Sequence, residues 1–141
     1  MKKQFWLLLL VITSITFFSC NSKGQSPSNN SSFPRIIKIY EADGNGNKKG
    51  IMFIYKDDKL YEANQDGSIK NLFLIREGNN IYESNSVGQK KGVMFIIEDE
   101  HFVYEANPDG SKKGIMYIKE GNLVYEAGAN GSKKGVMFVL E

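Results

Sequence analysis

Five glutamates at near-constant spacing are the first residues in this chain that could do chemistry. Glu41, Glu62, Glu83, Glu105 and Glu126 each follow a tyrosine, and Tyr40, Tyr61, Tyr82, Tyr104 and Tyr125 stand 21, 21, 22 and 21 residues apart. Paired carboxylates support acid–base work such as glycoside hydrolysis. A row of tyrosine faces stacks sugars or peptides. The other parts of a reaction centre are missing from the sequence. His101 is the single histidine and Cys20 the single cysteine, so no nucleophile meets a base and no ligand set has coordinating spacing. "DGNGN" (residues 43–47) and "NPDG" (residues 107–110) are too short for a calcium loop, which takes six or more oxygens. The reading is a protein without catalytic residues, metal or cofactor, with His101 a solvated turn residue.

The same offsets carry other residues, and these describe construction. Six residues after each tyrosine stands Gly46, Gly67, Gly88, Gly110 or Gly131. Nine after stands Lys49, Lys70, Lys91, Lys113 or Lys134, and ten after Gly50, Asn71, Gly92, Gly114 or Gly135. An apolar run such as "IMFI" or "VMFI" follows. A period of this length marks a repeat architecture. Within a copy, "LYEA" and "IMFI" read as strands bounded by turn residues. "NPDG" suits a type I turn with a glycine bulge. Gly78-Asn79 and Gly121-Asn122 suit two-residue hairpins, and the connection at residues 99–101 carries one extra residue. The expected fold is all-β: five hairpins of about 21 residues forming a twisted antiparallel meander, coiled or closed, over residues 35–141.

A three-residue loop sets a register in which each glutamate faces the lysine eight residues on. Glu41 then faces Lys49, Glu62 Lys70, Glu83 Lys91, Glu105 Lys113 and Glu126 Lys134, each pair contributing about 0.2–1 kcal/mol. Each tyrosine would lie over the glycine ten residues on, a sheet-stabilising arrangement. Alternation puts Tyr, Ala, Gly and Met on one face, and Phe, Ile, Val and the Glu–Lys rows on the other. Both faces carry apolar side chains, so the sheet must coil, close on itself or meet a partner. The Met row (Met52, Met94, Met116, Met137, with Phe73 in its gap) reads as core rather than as an adaptable binding strip.

The N-terminal segment belongs to none of this. "MKKQFWLLLLVITSITFFSC" has two lysines, an apolar stretch from Phe5 to Phe18 and a small residue before a change of composition. That is a secretory signal over residues 1–19, short for a membrane span. A lone cysteine closes no internal disulfide. Residues 21–34, "NSKGQSPSNNSSFP", have too little apolar surface to fold and form a flexible tether of at most about 45–50 Å. The chain holds 18 Lys+Arg and 16 Asp+Glu; without Lys2 and Lys3 the two are equal. A neutral mature chain argues against a nucleic-acid partner.

Two resemblances follow. Ser19-Cys20 after the apolar stretch resembles the lipobox of a bacterial, Bacteroidetes-type lipoprotein. This implies that Cys20 is acylated and becomes the mature N-terminus; the alternative is a free thiol after an ordinary signal. More than one acyl chain gives stable anchoring. No acidic run follows Cys20, so the leaflet stays open. Over residues 36–141 the hairpins resemble MORN repeats, most clearly "YEA…NGSKKGVMF" from Tyr125 to Phe138. That family implies a twisted β-meander serving as scaffold or membrane-proximal interaction module. The expectation is a lipid-anchored envelope protein, placed at the outer membrane, with an envelope or extracellular protein as partner and self-association open. The alternative is glycan or small-ligand binding through the five tyrosines.

Overall fold

Turn chemistry sets the hairpins. In the computed structural model, which describes residues 36–141, Gly46 donates its amide to the Asp43 carbonyl at 3.0 Å, and Gly67, Gly88, Gly110 and Gly131 repeat the bond in their own turns. Gly110 sits at φ 82°, a left-handed conformation that a β-carbon disfavours. Asp43 then donates to the Asn47 carbonyl at 2.9 Å, leaving the expected three-residue loop. The signal segment, Cys20 and the tether lie outside the described residues.

Ten strands result: β1 (Ile37–Ala42), β2 (Lys48–Lys56), β3 (Lys59–Ala63), β4 (Ile69–Glu77), β5 (Asn80–Ser84), β6 (Lys90–Glu98), β7 (Phe102–Ala106), β8 (Lys112–Glu120), β9 (Leu123–Ala127) and β10 (Lys133–Leu140). Each pairs antiparallel with its sequence neighbours, and β1 pairs with β10, so the meander closes into a barrel. Five long turns crowd one end. The other end carries the short turns at residues 57–58, 78–79, 99–101 and 121–122. Gly78 and Gly121 supply positive φ; Asp57, Asp58, Asp99 and Glu100 adopt it without being glycine.

The predicted register holds only beside each long turn, where Ala42 pairs with Lys48 and Ala106 with Lys112. Further on it is corrected. Glu105 pairs with Gly114 rather than Lys113, and Tyr104 with Ile115 rather than Gly114. Val103 then pairs with Tyr117. Two residues, Lys113 and Met116, are thus extra on the long strand. The same slip places Tyr40, Tyr61, Tyr82 and Tyr125 opposite Ile51, Leu72, Val93 and Val136. No tyrosine lies over the glycine assigned to it. The physical reason is curvature: each bulge bends the strand and adds twist, and a sheet needs both to close on itself.

The faces shift accordingly. The residue before each tyrosine (Ile39, Leu60, Ile81, Val103, Val124) points inward and is 0 % exposed. Phe53, Leu74, Phe95, Tyr117 and Phe138 point inward with them. The second bulge turns the Met row, and Phe73, onto this core, so Met packs with Phe and not on the tyrosine face. The interior is therefore filled by side chains, as small barrels are. Outside, three of the residues eleven after a tyrosine (Ile51, Leu72 and Val136) are approached by a neighbouring turn. A β-carbon built at Gly67 would meet the Ile51 Cδ1 at 3.8 Å, and one at Gly88 the Leu72 Cδ2 at 3.6 Å. Closure shields the inner apolar face, and the turns fold over part of the outer one.

Candidate functional site

The tyrosines stand on the outer face, each opposite an outward aliphatic residue. A lysine lies over four of the rings: Lys48 over Tyr40 at 4.9 Å from the centroid, Lys90 over Tyr82 at 4.9 Å, Lys112 over Tyr104 at 4.7 Å and Lys133 over Tyr125 at 5.1 Å. Each of these lysines also ion-pairs with a glutamate from the end of the preceding long strand. Lys48 reaches Glu141 at 2.8 Å, Lys90 Glu77 at 2.8 Å and Lys133 Glu120 at 2.7 Å; Lys112 pairs with Glu98. The phenols of Tyr40, Tyr82 and Tyr104 interact with the same carboxylates and help to hold them ionised. The hydrogen bond to Glu98 raises the Tyr104 pKa, and the lysines hold Glu77, Glu98 and Glu141 below the usual carboxylate range. The repeating unit is a carboxylate receptor made of one phenol and one ammonium. A cation over an aromatic face adds about 0.5–1 kcal/mol at an exposed site.

The glutamates after the tyrosines form a separate ladder. Lys49 reaches Glu41 at 3.6 Å, Lys70 Glu62 at 3.8 Å, Lys91 Glu83 at 3.3 Å, Lys113 Glu105 at 3.0 Å and Lys134 Glu126 at 3.2 Å. These pairs form although the backbone register differs, because each lysine is the extra residue beside the one facing its glutamate. Glu62 lies across from Phe53 and Glu41 across from Phe138, so the ladder rings the long-turn end above the core. The loop acids serve their own turns. Asp43 accepts from the amides of Asn45 and Asn47, both at 2.8 Å, and Asp109 from the Ser111 amide at 2.9 Å and hydroxyl at 2.6 Å. Among the described residues, no group of three His, Cys, Asp or Glu is placed to hold a metal.

Sequence reasoning passed over a polar layer at the short-turn end. Tyr55, Ile97 and Leu140 point into the barrel there, and at the same repeat position stand Arg76 and Lys119. Arg76 reaches Glu100 at 3.2 Å and donates from Nε to the Gly78 carbonyl at 2.8 Å. The Tyr55 hydroxyl donates to Asp58 at 2.6 Å. Desolvation and this acid push the Tyr55 pKa well up, and burial lowers that of Lys119. Glu100 Oε2 is enclosed without a hydrogen-bond partner. His101 is exposed, with Nδ1 3.2 Å from the Lys119 carbonyl oxygen. The readable signal was two basic residues in an otherwise apolar repeat position, beside the one short connection of three residues. The outer clamp also had a signal: lysine eight and glutamate sixteen after most tyrosines.

No protein family matches the chain, and neither a curated protein nor a solved structure matches it.

Proposed function

We propose that the protein is a non-catalytic scaffold of the bacterial cell envelope, tethered by lipid at Cys20, whose MORN-like barrel offers its outer surface to a protein partner. The observation that carries this reading is the direction of the repeated chemistry. The tyrosine clamps face outward around an interior already filled by side chains. The distribution also favours a tethered over a membrane-crossing barrel. Membrane barrels have an apolar outside and strands of about 9–11 residues. Here the outer face carries lysines and glutamates among its tyrosine and aliphatic rows, and β3, β5, β7 and β9 have five residues each. The glycan reading is the weaker one, because a lysine already occupies the face of four of the five rings.

The test is chemical crosslinking in intact native cells with the full chain tagged at its C-terminus and Cys20→Ala as the control. The expected result is one discrete envelope protein, lost when the anchor is removed. Recovery of self-crosslinks alone, or of nothing, would refute the scaffold reading.

A further inference from the structure

The ring of outer clamps is broken at one repeat, and the break has a defined chemistry. By position, the clamp at Tyr61 should pair a glutamate at residue 56 with a lysine at residue 69. The chain has Lys56 and Ile69 instead. Both members of the pair depart together at this junction. Among the described residues no lysine lies over the Tyr61 ring, and no carboxylate is paired with its hydroxyl. Lys56 pairs across the ladder with Lys59, so two like charges occupy directly opposed positions, a pairing that disfavours the sheet. Neither has an ion-pair partner among the described residues. Ile69 is 46 % exposed, one of the few large apolar side chains left in water here.

We propose that this junction is a docking site for an acidic side chain of a partner polypeptide. The intact clamps define what such a site binds: a carboxylate held by a lysine ammonium in all four and by a tyrosine hydroxyl as well at Tyr40, Tyr82 and Tyr104. At Tyr61 the hydroxyl is retained and the internal carboxylate is absent. A cation stands on the strand that elsewhere supplies the acid. An incoming Asp or Glu takes the vacant place, accepting from the Tyr61 hydroxyl and from Lys56, with Lys59 adding charge complementarity. Ile69 then contacts an apolar neighbour of that acid in the partner's sequence. An acid there also balances the two like charges that Lys56 and Lys59 place at opposed positions. Charge attraction of this kind speeds encounter and selects partners more than it adds affinity.

This inference rests on the scaffold reading and names the face that reading uses. It is tested with a water-soluble carbodiimide on membranes from native cells carrying the full-length chain; the reagent joins a carboxylate to an amine in direct contact. The expected product is an amide between Lys56 or Lys59 and one Asp or Glu of a partner, located by mass spectrometry. Changing that partner acid to its amide abolishes it. The double variant K56E/I69K rebuilds the repeat's own clamp and is expected to reduce partner recovery by about tenfold or more, with an unfolding midpoint unchanged or raised. K56Q, which removes the cation and builds no clamp, is expected to act in the same direction. A partner crosslinked only through other lysines, or undiminished recovery with K56E/I69K, would each overturn the docking site while leaving the scaffold reading intact; products joining only copies of this chain would overturn both. Absence of any partner would overturn both.

Discussion

Glu105 faces Gly114 across the β7–β8 ladder, yet its carboxylate accepts a hydrogen bond from Lys113 at 3.0 Å. The bulge makes both true: two residues of β8 oppose one of β7. Substitution and deletion at residue 113 therefore differ. Lys113→Ala keeps the bulge and loses one exposed ion pair, about 0.2–1 kcal/mol. Deleting residue 113 removes the extra residue and forces the strand out of alignment with its turn. Urea unfolding midpoints should barely move for the first and fall sharply for the second.

Two glycines four residues apart should respond oppositely to a methyl group. A β-carbon has open space at both Gly110 and Gly114, but only Gly110 has a left-handed φ, at 82°. Gly110→Ala is expected to cost about 1–2 kcal/mol through the backbone alone. Gly114→Ala should stay within about 0.5 kcal/mol of the parent. Equal losses for the two would contradict the turn geometry.

The core makes a steeper contrast. Leu60 is 0 % exposed and Val87 is 75 % exposed. Leu60→Ala is expected to cost about 2–5 kcal/mol, from lost transfer energy and the cavity left behind. Val87→Ala should have almost no effect. Thermal melts of the two variants beside the parent decide it.

Arg76 and Glu100 pose a question of compensation. Their side chains are 11 % and 26 % exposed, and Glu100 holds a φ of 59° that glycine would adopt freely. Arg76→Leu alone strands the Glu100 carboxylate and should destabilise by a few kcal/mol, about the lower end of the range for breaking a buried pair. Adding Glu100→Gly removes the stranded charge and the backbone strain together. The double variant should recover most or all of the loss in a double-mutant cycle.

Acid sensitivity has a definite sign. Hydrogen bonds from the side chains of Asn47, Ser68 and Ser111, then from backbone amides, hold Asp43, Asp66 and Asp109 below the ordinary carboxylate range. A folded pKa below the unfolded one means that the stabilisation is complete above the ordinary value and lost as pH falls through the depressed one. Stability should hold from neutral pH to about 5 and drop below about 4. Asp109→Asn should flatten part of that acid limb without lowering the neutral midpoint. Asn130 already accepts from the Ser132 amide at 3.1 Å and hydroxyl at 2.7 Å in the corresponding turn. An acid limb unchanged by the substitution would remove Asp109 as a contributor.

Local chemistry was legible in the sequence and cumulative geometry was not. Gly110 and its counterparts announce the long turns because few other residues tolerate that φ. Lys113 and Met116 do not announce bulges, since any residue type can be the extra one. Simple alternation therefore carried the register one step wrong at the first bulge and two at the second. Apolar residues on both faces did signal that the sheet must close or be covered. Arg76 and Lys119 stood out only by breaking an apolar row, and a row of five is too short for two exceptions to be read as a layer of their own. The outer clamps are not legible within a single repeat, because each joins the end of one repeat to the start of the next.

At the seam, Ile39 meets Leu140 and Tyr40 meets Val139, the pairing that Leu60 makes with Tyr55 and Tyr61 with Ile54 inside the chain. The joint between the two ends is thus built like a joint between neighbouring hairpins. Open solenoids gain or lose units almost additively. A ring does not: removing or adding a hairpin changes the circumference, and with it the volume that Phe53, Phe95, Phe138 and the Met row must fill. The first strand must also wait for the last, a contact about one hundred residues apart that makes for slow folding. In the interval both strand edges are open, and a second nascent chain offers β1 a ladder with the right register. Exchange of strands between chains is the hazard that this closure carries.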